Sequence, residues 1–313
     1  MTDPLKSDPR LSRVIAIANG KGGCGKTAVT ANVAGSLAAA GNRVLTIDLD
    51  PQGDLGNDLG IVDTDIDDEG RALLDALQYG GPLPSPIKDV RANLDCYIGG
   101  QWLDNLTPLD LAGRIDGGLP AAFTERLAAV ADDYDLVFID CPPRTPSLVA
   151  MAFAAARYIL IPIKHDKGSR RGLRGVGPIK VRAQQTNPDL TWLGAILFDH
   201  NPNATQMRAK TYARLDDIQD RVPIFDAFVR HSPKAAQDAG IAGQLIYEMA
   251  ADLSAQKAAT LQQLKLPAGK RALPTTRYTP TTEPLADDYR ALALELLHRI
   301  LEHEEAPLQV TGS

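Results

Sequence analysis

The chain of 313 residues carries a formal net charge of −6 and is 44% hydrophobic, which is enough material for one large domain or two small ones. It contains no apolar stretch of about 18 residues, so the sequence predicts no membrane span. Residues 1–13 are polar and lack the apolar centre of a signal peptide, so we expect a flexible N-terminus and a cytoplasmic protein. Three widely spaced cysteines, Cys24, Cys96 and Cys141, disfavour a disulfide framework and a zinc site.

Short apolar runs alternate with helical patterns along the chain. Residues 14–18 end at a glycine-rich turn, residues 27–40 have helical spacing, and residues 44–49 form the next buried strand. These elements make a βαβ unit, the building block of a parallel sheet. We predict further strands at 94–98, 136–139, 158–163 and 193–198, and further helices at 123–131, 148–156, 208–220 and 285–304. The alternation predicts an α/β fold with a doubly wound, mostly parallel sheet and helices on both faces.

Two segments interrupt this alternation. Residues 61–92 are acidic at first and proline-rich later, and we interpret them as a variable surface insertion. Residues 250–284 precede the last helix, 285–304, and we interpret them as an insertion that ends in an extended linker over 265–284. We expect residues 1–313 to form a single domain.

The glycine-rich turn matches the phosphate-loop pattern GxxxxGK[ST] and lies between a strand and a helix, the context that this motif requires. Its backbone N–H groups and the helix N-terminus favour phosphate binding. Lys26 is expected to contact the β- and γ-phosphates, and the Thr27 hydroxyl is expected to coordinate Mg²⁺. The motif predicts a site for ATP and Mg²⁺ formed by Gly20, Lys21, Gly22, Gly23, Cys24, Gly25, Lys26, Thr27 and Ala28.

Acidic residues follow two of the predicted strands. Asp48 and Asp50 end the strand at 44–49, and Asp140 follows the strand at 136–139. Ligands gather at the carboxyl ends of parallel strands, so we expect these carboxylates to lie beside the phosphate loop. We assign Asp140 to Mg²⁺ through a water molecule, with Asp50 as a further metal candidate.

Three motifs together resemble the ParA/MinD family of deviant Walker A P-loop ATPases, and in particular its ParA/Soj partition branch. They are Lys21-Gly-Gly-Cys-Gly-Lys-Thr27, Asp48-Leu-Asp-Pro-Gln-Gly53 and Asp140-Cys-Pro-Pro143, in the order and spacing of the family. All three lie within residues 14–163, and the rest of the chain matches more loosely. Gly20 stands where the family often has Gln, and the family's Asp-x-Arg segment reads Asp199-His200-Asn201.

The resemblance implies a two-subunit catalytic site. Lys21 looks like the signature lysine that reaches the partner subunit's ATP and neutralises charge in the transition state. The implied catalytic set is Lys21, Lys26 and Asp50, with Asp50 orienting the attacking water. Asp199 and Asn201 mark the start of the family's adenine-facing segment. The expected activity is slow intrinsic ATP hydrolysis by an ATP-bound homodimer.

ParA-like proteins bind DNA without sequence preference as ATP-loaded dimers, and a local excess of basic residues fits this property. Residues 164–182 hold seven basic residues and one acidic residue, Asp166. Such a patch suits contacts with phosphates, although a solvated helix face is the alternative interpretation. Arg230 matches a family arginine associated with DNA binding. The predicted DNA-binding residues are Lys164, Lys167, Arg170, Arg171, Arg174, Arg208, Lys210 and Arg230.

Three functions remain open at this point. The first is plasmid or chromosome partition on the nucleoid, with hydrolysis stimulated by a ParB-like centromere-binding protein. The second is positioning of a protein cargo by the same ATP and DNA chemistry. The third is a MinD-like membrane-associated ATPase, which the acidic segment 294–307 disfavours because anionic lipid would repel it. We therefore expect no membrane partner.

Overall fold

The computed structural model describes residues 8–106, 118–203, 222–263, 265 and 279–305. Its central feature is an eight-stranded sheet in the order β3-β4-β2-β5-β1-β6-β7-β8. Only β3 runs antiparallel to its neighbour, and the other strand pairs are parallel. This arrangement confirms the predicted doubly wound, mostly parallel sheet. The strands are β1 Val14–Ile17, β2 Val44–Asp48, β3 Ile87–Arg91, β4 Leu94–Tyr97, β5 Leu136–Asp140, β6 Tyr158–Ile163, β7 Thr191–His200 and β8 Ile224–Arg230.

Helices cover both faces of the sheet and bury a separate apolar core on each. Successive side chains of a strand point to opposite faces, so Val14 and Ala16 of β1 join one core while Ile15 and Ile17 join the other. Among the described residues the α-helices are α1 Lys26–Ala39, α2 Asp54–Asp58, α3 Arg71–Tyr79, α4 Gly118–Ala131, α5 Pro146–Ala155, α6 Lys167–Ala183, α7 Pro233–Ala242, α8 Ile246–Gln263 and α9 Thr282–Glu305. Helices α3 to α6 cover the first core, and α1, α7, α8 and α9 cover the second.

The segment 61–92 differs from the predicted surface insertion. It contains α3, which buries Leu73, Leu74 and Leu77 in the first core, and β3, which extends the sheet. The helical spacing of these three leucines outweighs the acidic character of the residues before them. Residues 250–263 of the predicted insertion belong to α8, which begins at Ile246.

Some predictions fall on residues outside the described ranges. The predicted helix at 208–220 lies there, and so does most of the linker predicted at 265–284. Within the described ranges, no helix combines the length and the apolar character needed to cross a bilayer.

The edge of the sheet at β8 is covered by side chains of α9. The main-chain N–H groups of Asp226 and Ala227 donate to the Glu295 carboxylate over 3.0 and 2.7 Å. Arg299 of the same helix donates to the Ile224 carbonyl over 2.6 Å. These bonds satisfy main-chain groups that an edge strand otherwise offers to another chain.

A buried carboxylate joins β3, at the opposite edge of the sheet, to Tyr134 in the connection between α4 and β5. Asp95 of β4 accepts hydrogen bonds from Lys88 Nζ (2.8 Å), the Asp89 N–H (2.8 Å) and the Tyr134 hydroxyl (2.5 Å). Burial alone would raise the pKa of Asp95, but the hydrogen bonds from Lys88 and Tyr134 hold this pKa below its usual range. The folded state therefore favours the charged carboxylate.

We expect Asp95→Ala to lower the free energy of unfolding at pH 7 by about 1.5–3 kcal/mol, because it removes hydrogen bonds to a charged acceptor. A lowered folded pKa adds stability above the unfolded pKa, about 3.9, and this stability is lost as the pH falls through the folded value. The difference from wild type should therefore shrink at pH 3. Urea unfolding at both pH values measures it, with the exposed Asp65→Ala as the control. An equal difference at both pH values would contradict this account.

Candidate nucleotide site

The phosphate-loop motif forms the connection between β1 and α1, as the sequence predicts. β1 ends at Ile17, and α1 begins at Lys26. Gly25 precedes the helix with φ +93°, and a Cβ atom at this position would lie 2.5 Å from the Phe198 ring of β7. Only glycine fits both the left-handed backbone and the close ring. The first turn of α1 therefore presents its free N–H groups toward the loop, where an anion is favoured.

Two carboxylates are buried side by side at the carboxyl ends of neighbouring strands. Asp48 and Asp140 are in register on β2 and β5, and each is at most 1% exposed. The Asp48 carboxylate accepts the N–H of Asp50 (2.8 Å) and the N–H of Leu55 (3.3 Å). Asp48 thus shapes the loop that leads from β2 to α2.

Asp140 differs from Asp48 because neither of its carboxylate oxygens has a hydrogen-bond partner among the described residues. Burial raises the pKa of Asp140, and the nearby Thr27 hydroxyl and Lys26 only partly oppose this effect. Burial and the charge of Asp140 also raise the pKa of Asp48. A buried carboxylate without a partner is costly, so the site is suited to a cation.

The residues around Asp140 fit a magnesium ion that is held jointly with phosphate. Mg²⁺ usually keeps several waters and is bound by one or two carboxylates together with substrate phosphates. Thr27 at the start of α1 and the Asp140 oxygens supply hard oxygen donors of this kind. Among the described residues, no group of three or more His, Cys, Asp or Glu side chains is arranged to hold a metal ion by itself.

Asp50 lies in the loop that Asp48 supports. Its residue is 9% exposed, and its carboxylate accepts the N–H of Gln52 over 3.1 Å. The loop continues directly into α2 at Asp54. This arrangement places a hydrogen-bonded carboxylate in the loop that follows Asp48 of the buried pair.

Lys21 lies at the entrance of the loop and forms an ion pair with Asp166 of the β6–α6 connection. Its side chain is about one third exposed, and its stem passes close to Gly168 of α6. A groove of about 370 Å³ lies beside it, between α6 and the start of α5. In this conformation the Lys21 ammonium group is held by its own chain, at the surface of the loop.

The two residues predicted to mark the adenine-facing segment, Asp199 and Asn201, lie at the carboxyl end of β7. Asp199 has φ +62° and forms ion pairs with Lys164 (2.9 Å) and His231. Hydrogen bonds from these partners lower the pKa of Asp199 although burial opposes them. Asn201 is exposed, and its side-chain oxygen accepts the N–H of Asn203 over 3.0 Å. The contact between Gly25 and Phe198 places this end of β7 beside the phosphate loop.

The structure describes the side chains of three of the predicted DNA-binding residues, Lys164, Arg174 and Arg230. Lys164 is paired with Asp199, and Arg230 forms two hydrogen bonds of 2.6 and 2.7 Å with the Asp288 carboxylate. Arg174 is exposed on α6. The structure describes the backbone but not the side chains of Lys167, Arg170 and Arg171, and Arg208 and Lys210 lie outside the described ranges.

Three residues of the site were not singled out from the sequence. Asp166 was visible only as the single acidic residue of a basic segment. Asn19 precedes the loop and is buried, and Gly172 of α6 packs against it. The contact of Asn19 with Gly172 joins residues 153 positions apart in the sequence, and no local pattern indicates it.

Comparison with known proteins identifies relatives of the chain. A family model described as an AAA domain matches residues 12–192. The chain is 32% identical over 196 residues to the chromosome partitioning protein ParA of Myxococcus xanthus, covering 62% of this chain and 68% of that protein. It is 36% identical over 189 residues to the chromosome-partitioning ATPase Soj of Thermus thermophilus, covering 59% of this chain and 68% of that protein.

A solved structure shares the fold over most of the chain. Cobyrinic acid a,c-diamide synthase from Mycobacterium smegmatis, with bound ADP and magnesium, is 27% identical and superposes with a TM-score of 0.61. The match covers 86% of this chain and 99% of that one. Because its name differs from those of the sequence relatives, the fold alone does not select a function.

We expect Asp140→Asn to remove most of the stabilisation that Mg²⁺ adds in the presence of ATP, because it neutralises the carboxylate suited to the cation. Wild type should gain about 2.7 kcal/mol when the ligand is at 100 times its dissociation constant. The metal-free variant should melt no lower than wild type, since a buried charge is replaced by a neutral amide.

Thermal unfolding with ATP, with and without Mg²⁺, measures both effects. Asp133→Asn, which changes an exposed carboxylate, should keep the full Mg²⁺ increment. An unchanged increment in Asp140→Asn would show that this carboxylate has no part in the metal site.

Proposed function

Because the chain belongs to the ParA/Soj family of P-loop ATPases, we propose that it is a DNA segregation ATPase that acts as an ATP-dependent homodimer with Mg²⁺. The observation that carries the proposal is the position of Lys21. This lysine lies at the entrance of its own chain's phosphate loop and is held by a surface ion pair that can open. A second cation placed in this way suits delivery to the ATP of another subunit.

Within one subunit, the described residues account for binding and orientation. The N–H groups at the start of α1 and the Lys26 side chain would hold the phosphates, and Thr27 with Asp140 would hold the metal. Bound Mg²⁺ would neutralise charge that develops on the phosphates. Asp50, fixed by the Asp48-supported loop, orients the attacking water.

Between two subunits, Lys21 supplies positive charge to the partner's phosphates once it leaves Asp166. Such a charge stabilises the transition state more than the ground state, because negative charge develops on the transferred group. Hydrolysis therefore requires the dimer. Asp199 and Asn201, at the end of β7, contact the nucleoside part of the same nucleotide.

The proposed dimer binds DNA non-specifically and leaves it after hydrolysis, which a ParB-like centromere-binding protein stimulates. The basic sequence of α6 supports this step, and Arg174 and Arg182 are exposed basic residues of its described part. Lys164 and Arg230 remain candidates, although each is paired within the chain. The protein would then be cytoplasmic and associated with the nucleoid. The membrane alternative is disfavoured by Glu302, Glu304 and Glu305 at the end of α9.

DNA binding should require ATP and should fall steeply with salt. We expect binding of a random duplex with a slowly hydrolysed ATP analogue but not with ADP or without nucleotide. Between 50 and 200 mM salt the affinity should fall about 100-fold, as about four phosphate contacts would give. Lys21→Ala should lose ATP-dependent dimerisation, DNA binding and hydrolysis together.

Fluorescence anisotropy and sedimentation measure these properties, and Lys257→Ala is the matched control. Lys257 is an exposed lysine in an ion pair with Glu283, away from the loop. If the ATP-loaded protein ignored DNA at 50 mM salt, the proposal would fail. If it bound DNA but carried a protein cargo, the positioning alternative would replace the proposal. Flotation with anionic liposomes in ATP would instead favour the membrane alternative.

The ion pair between Lys21 and Asp166 should oppose dimerisation, because it holds the lysine within its own subunit. We expect Asp166→Asn to tighten ATP-dependent self-association about two- to fivefold, the range for a partly exposed ion pair. Sedimentation equilibrium with the ATP analogue measures this. Asp238→Asn breaks the Lys234–Asp238 ion pair on α7 and should leave ATP-dependent self-association unchanged. Weaker self-association of Asp166→Asn would contradict the prediction.

A further inference from the structure

Asn19 is a buried amide between the end of β1 and the phosphate loop. Its residue is 1% exposed, and its Nδ2 group donates to the Pro162 carbonyl of β6 over 2.8 Å. Its Oδ1 atom accepts the main-chain N–H of Lys21 over 2.9 Å. One side chain therefore fixes the backbone of Lys21 relative to the sheet.

Helix α6 closes the space around this amide. A Cβ atom at Gly172 would lie 1.8 Å from Asn19 Oδ1 and 2.8 Å from the Lys21 nitrogen, so no larger residue fits. The Gly20 N–H also donates to the Gly172 carbonyl, over 3.3 Å. The loop entrance and α6 are thus in direct main-chain contact around the Asn19 side chain.

This contact fixes the backbone of Lys21 but leaves its side chain free to change conformation. The ion pair with Asp166 is partly exposed and can open, whereas the Lys21 main-chain N–H donates to the side chain of Asn19, a residue that is 1% exposed. When the ammonium group leaves Asp166, the backbone from which it extends stays in place. Only the Lys21 side chain then changes conformation, and its ammonium group samples a smaller volume than it would if the whole loop moved.

We propose that Asn19 is a positioning residue for Lys21, and that Gly172 is required because it leaves room for the Asn19 amide. The inference rests on the proposed function of Lys21 across the dimer. The buried amide acts through the Lys21 backbone and touches neither nucleotide nor metal. Its loss should therefore affect dimer-dependent hydrolysis far more than nucleotide binding by one subunit, which depends on α1, Lys26 and Thr27.

The test compares two independent disruptions with two matched controls. Asn19→Ala removes the anchor, and Gly172→Ala displaces the amide while favouring helix by about 1 kcal/mol. Asn187→Ala removes another buried amide, which bridges the Phe153 and Ala156 carbonyls over 2.9 and 2.7 Å. Gly175→Ala changes a glycine of the same helix whose Cβ would have no described atom within 4 Å.

We expect Asn19→Ala and Gly172→Ala to lower kcat about 10- to 100-fold, the range for a catalytic group displaced by about 1 Å. ATP-analogue-dependent dimerisation should weaken in parallel, while binding of a fluorescent ATP analogue to the monomer changes less than about threefold. Asn187→Ala and Gly175→Ala should keep wild-type kcat and dimerisation. Asn19→Asp, which keeps an acceptor for the Lys21 N–H, should recover part of kcat.

Lys21→Ala, measured in the same assays, distinguishes failure of the positioning role of Asn19 from failure of the proposed function. If Lys21→Ala loses dimerisation while Asn19→Ala and Gly172→Ala behave as wild type, the positioning role is wrong and the proposed function stands. If Lys21→Ala itself keeps wild-type dimerisation and kcat, the proposed function fails. Asn19→Ala could instead lose kcat and nucleotide affinity equally, with the same losses in Asn187→Ala. This result would show that Asn19 has only a structural role and would overturn the inference.

Discussion

The burial of two carboxylates, Asp48 and Asp140, beside each other at the ends of β2 and β5 constrains the rest of the site. Two negative charges in a dry environment need compensation. Asp48 obtains it from the main-chain N–H groups of Asp50 and Leu55, and this fixes the path of the loop into α2. Neither oxygen of Asp140 has a hydrogen-bond partner among the described residues, and the nearby Thr27 and Lys26 offset its burial only in part. The same constraint therefore shapes the loop on one strand and leaves a place for a cation on the next.

The opposite side of the phosphate loop is constrained by contact rather than by charge. Gly20, Asn19 and Gly172 bring the loop entrance against α6, and the Lys21 side chain extends from this contact toward Asp166. The nucleotide site thus has a part that is complete in one subunit and a part that projects from its rim. The basic residues of α6 lie on the same helix that contacts the loop entrance. A rearrangement at Lys21 would therefore act on the helix that forms the proposed DNA surface.

Much of the fold and the centre of the site could be predicted from local sequence. The strands β1, β2, β5 and β6 are continuous apolar runs, which is typical of strands covered on both faces, and the phosphate loop has a specific pattern. β8 was not predicted because its exposed Asp226 interrupts the apolar pattern at the sheet edge.

Other features depend on contacts that no local pattern records. Helix α6 contains four glycines and Pro178, a poor helical composition that packing against the loop and the sheet offsets. The partners of Lys21 and Arg230, Asp166 and Asp288, are 145 and 58 residues away in the sequence. Long-range pairing of this kind decides which charges are available at the surface. Sequence composition alone assigns the same charge to paired and free arginines.

The covering of β8 by α9 has a consequence for how copies of this chain can assemble. Glu295, Arg299 and Asp288 occupy main-chain groups along that edge, so a second sheet cannot extend this one by strand pairing there. Association of two copies would then use other surfaces, and the proposed dimer uses the rim that carries Lys21. A two-fold contact closes on itself, whereas head-to-tail strand pairing would continue into a fibre. The acidic and basic side chains of α9 thereby favour a closed oligomer over an open-ended polymer.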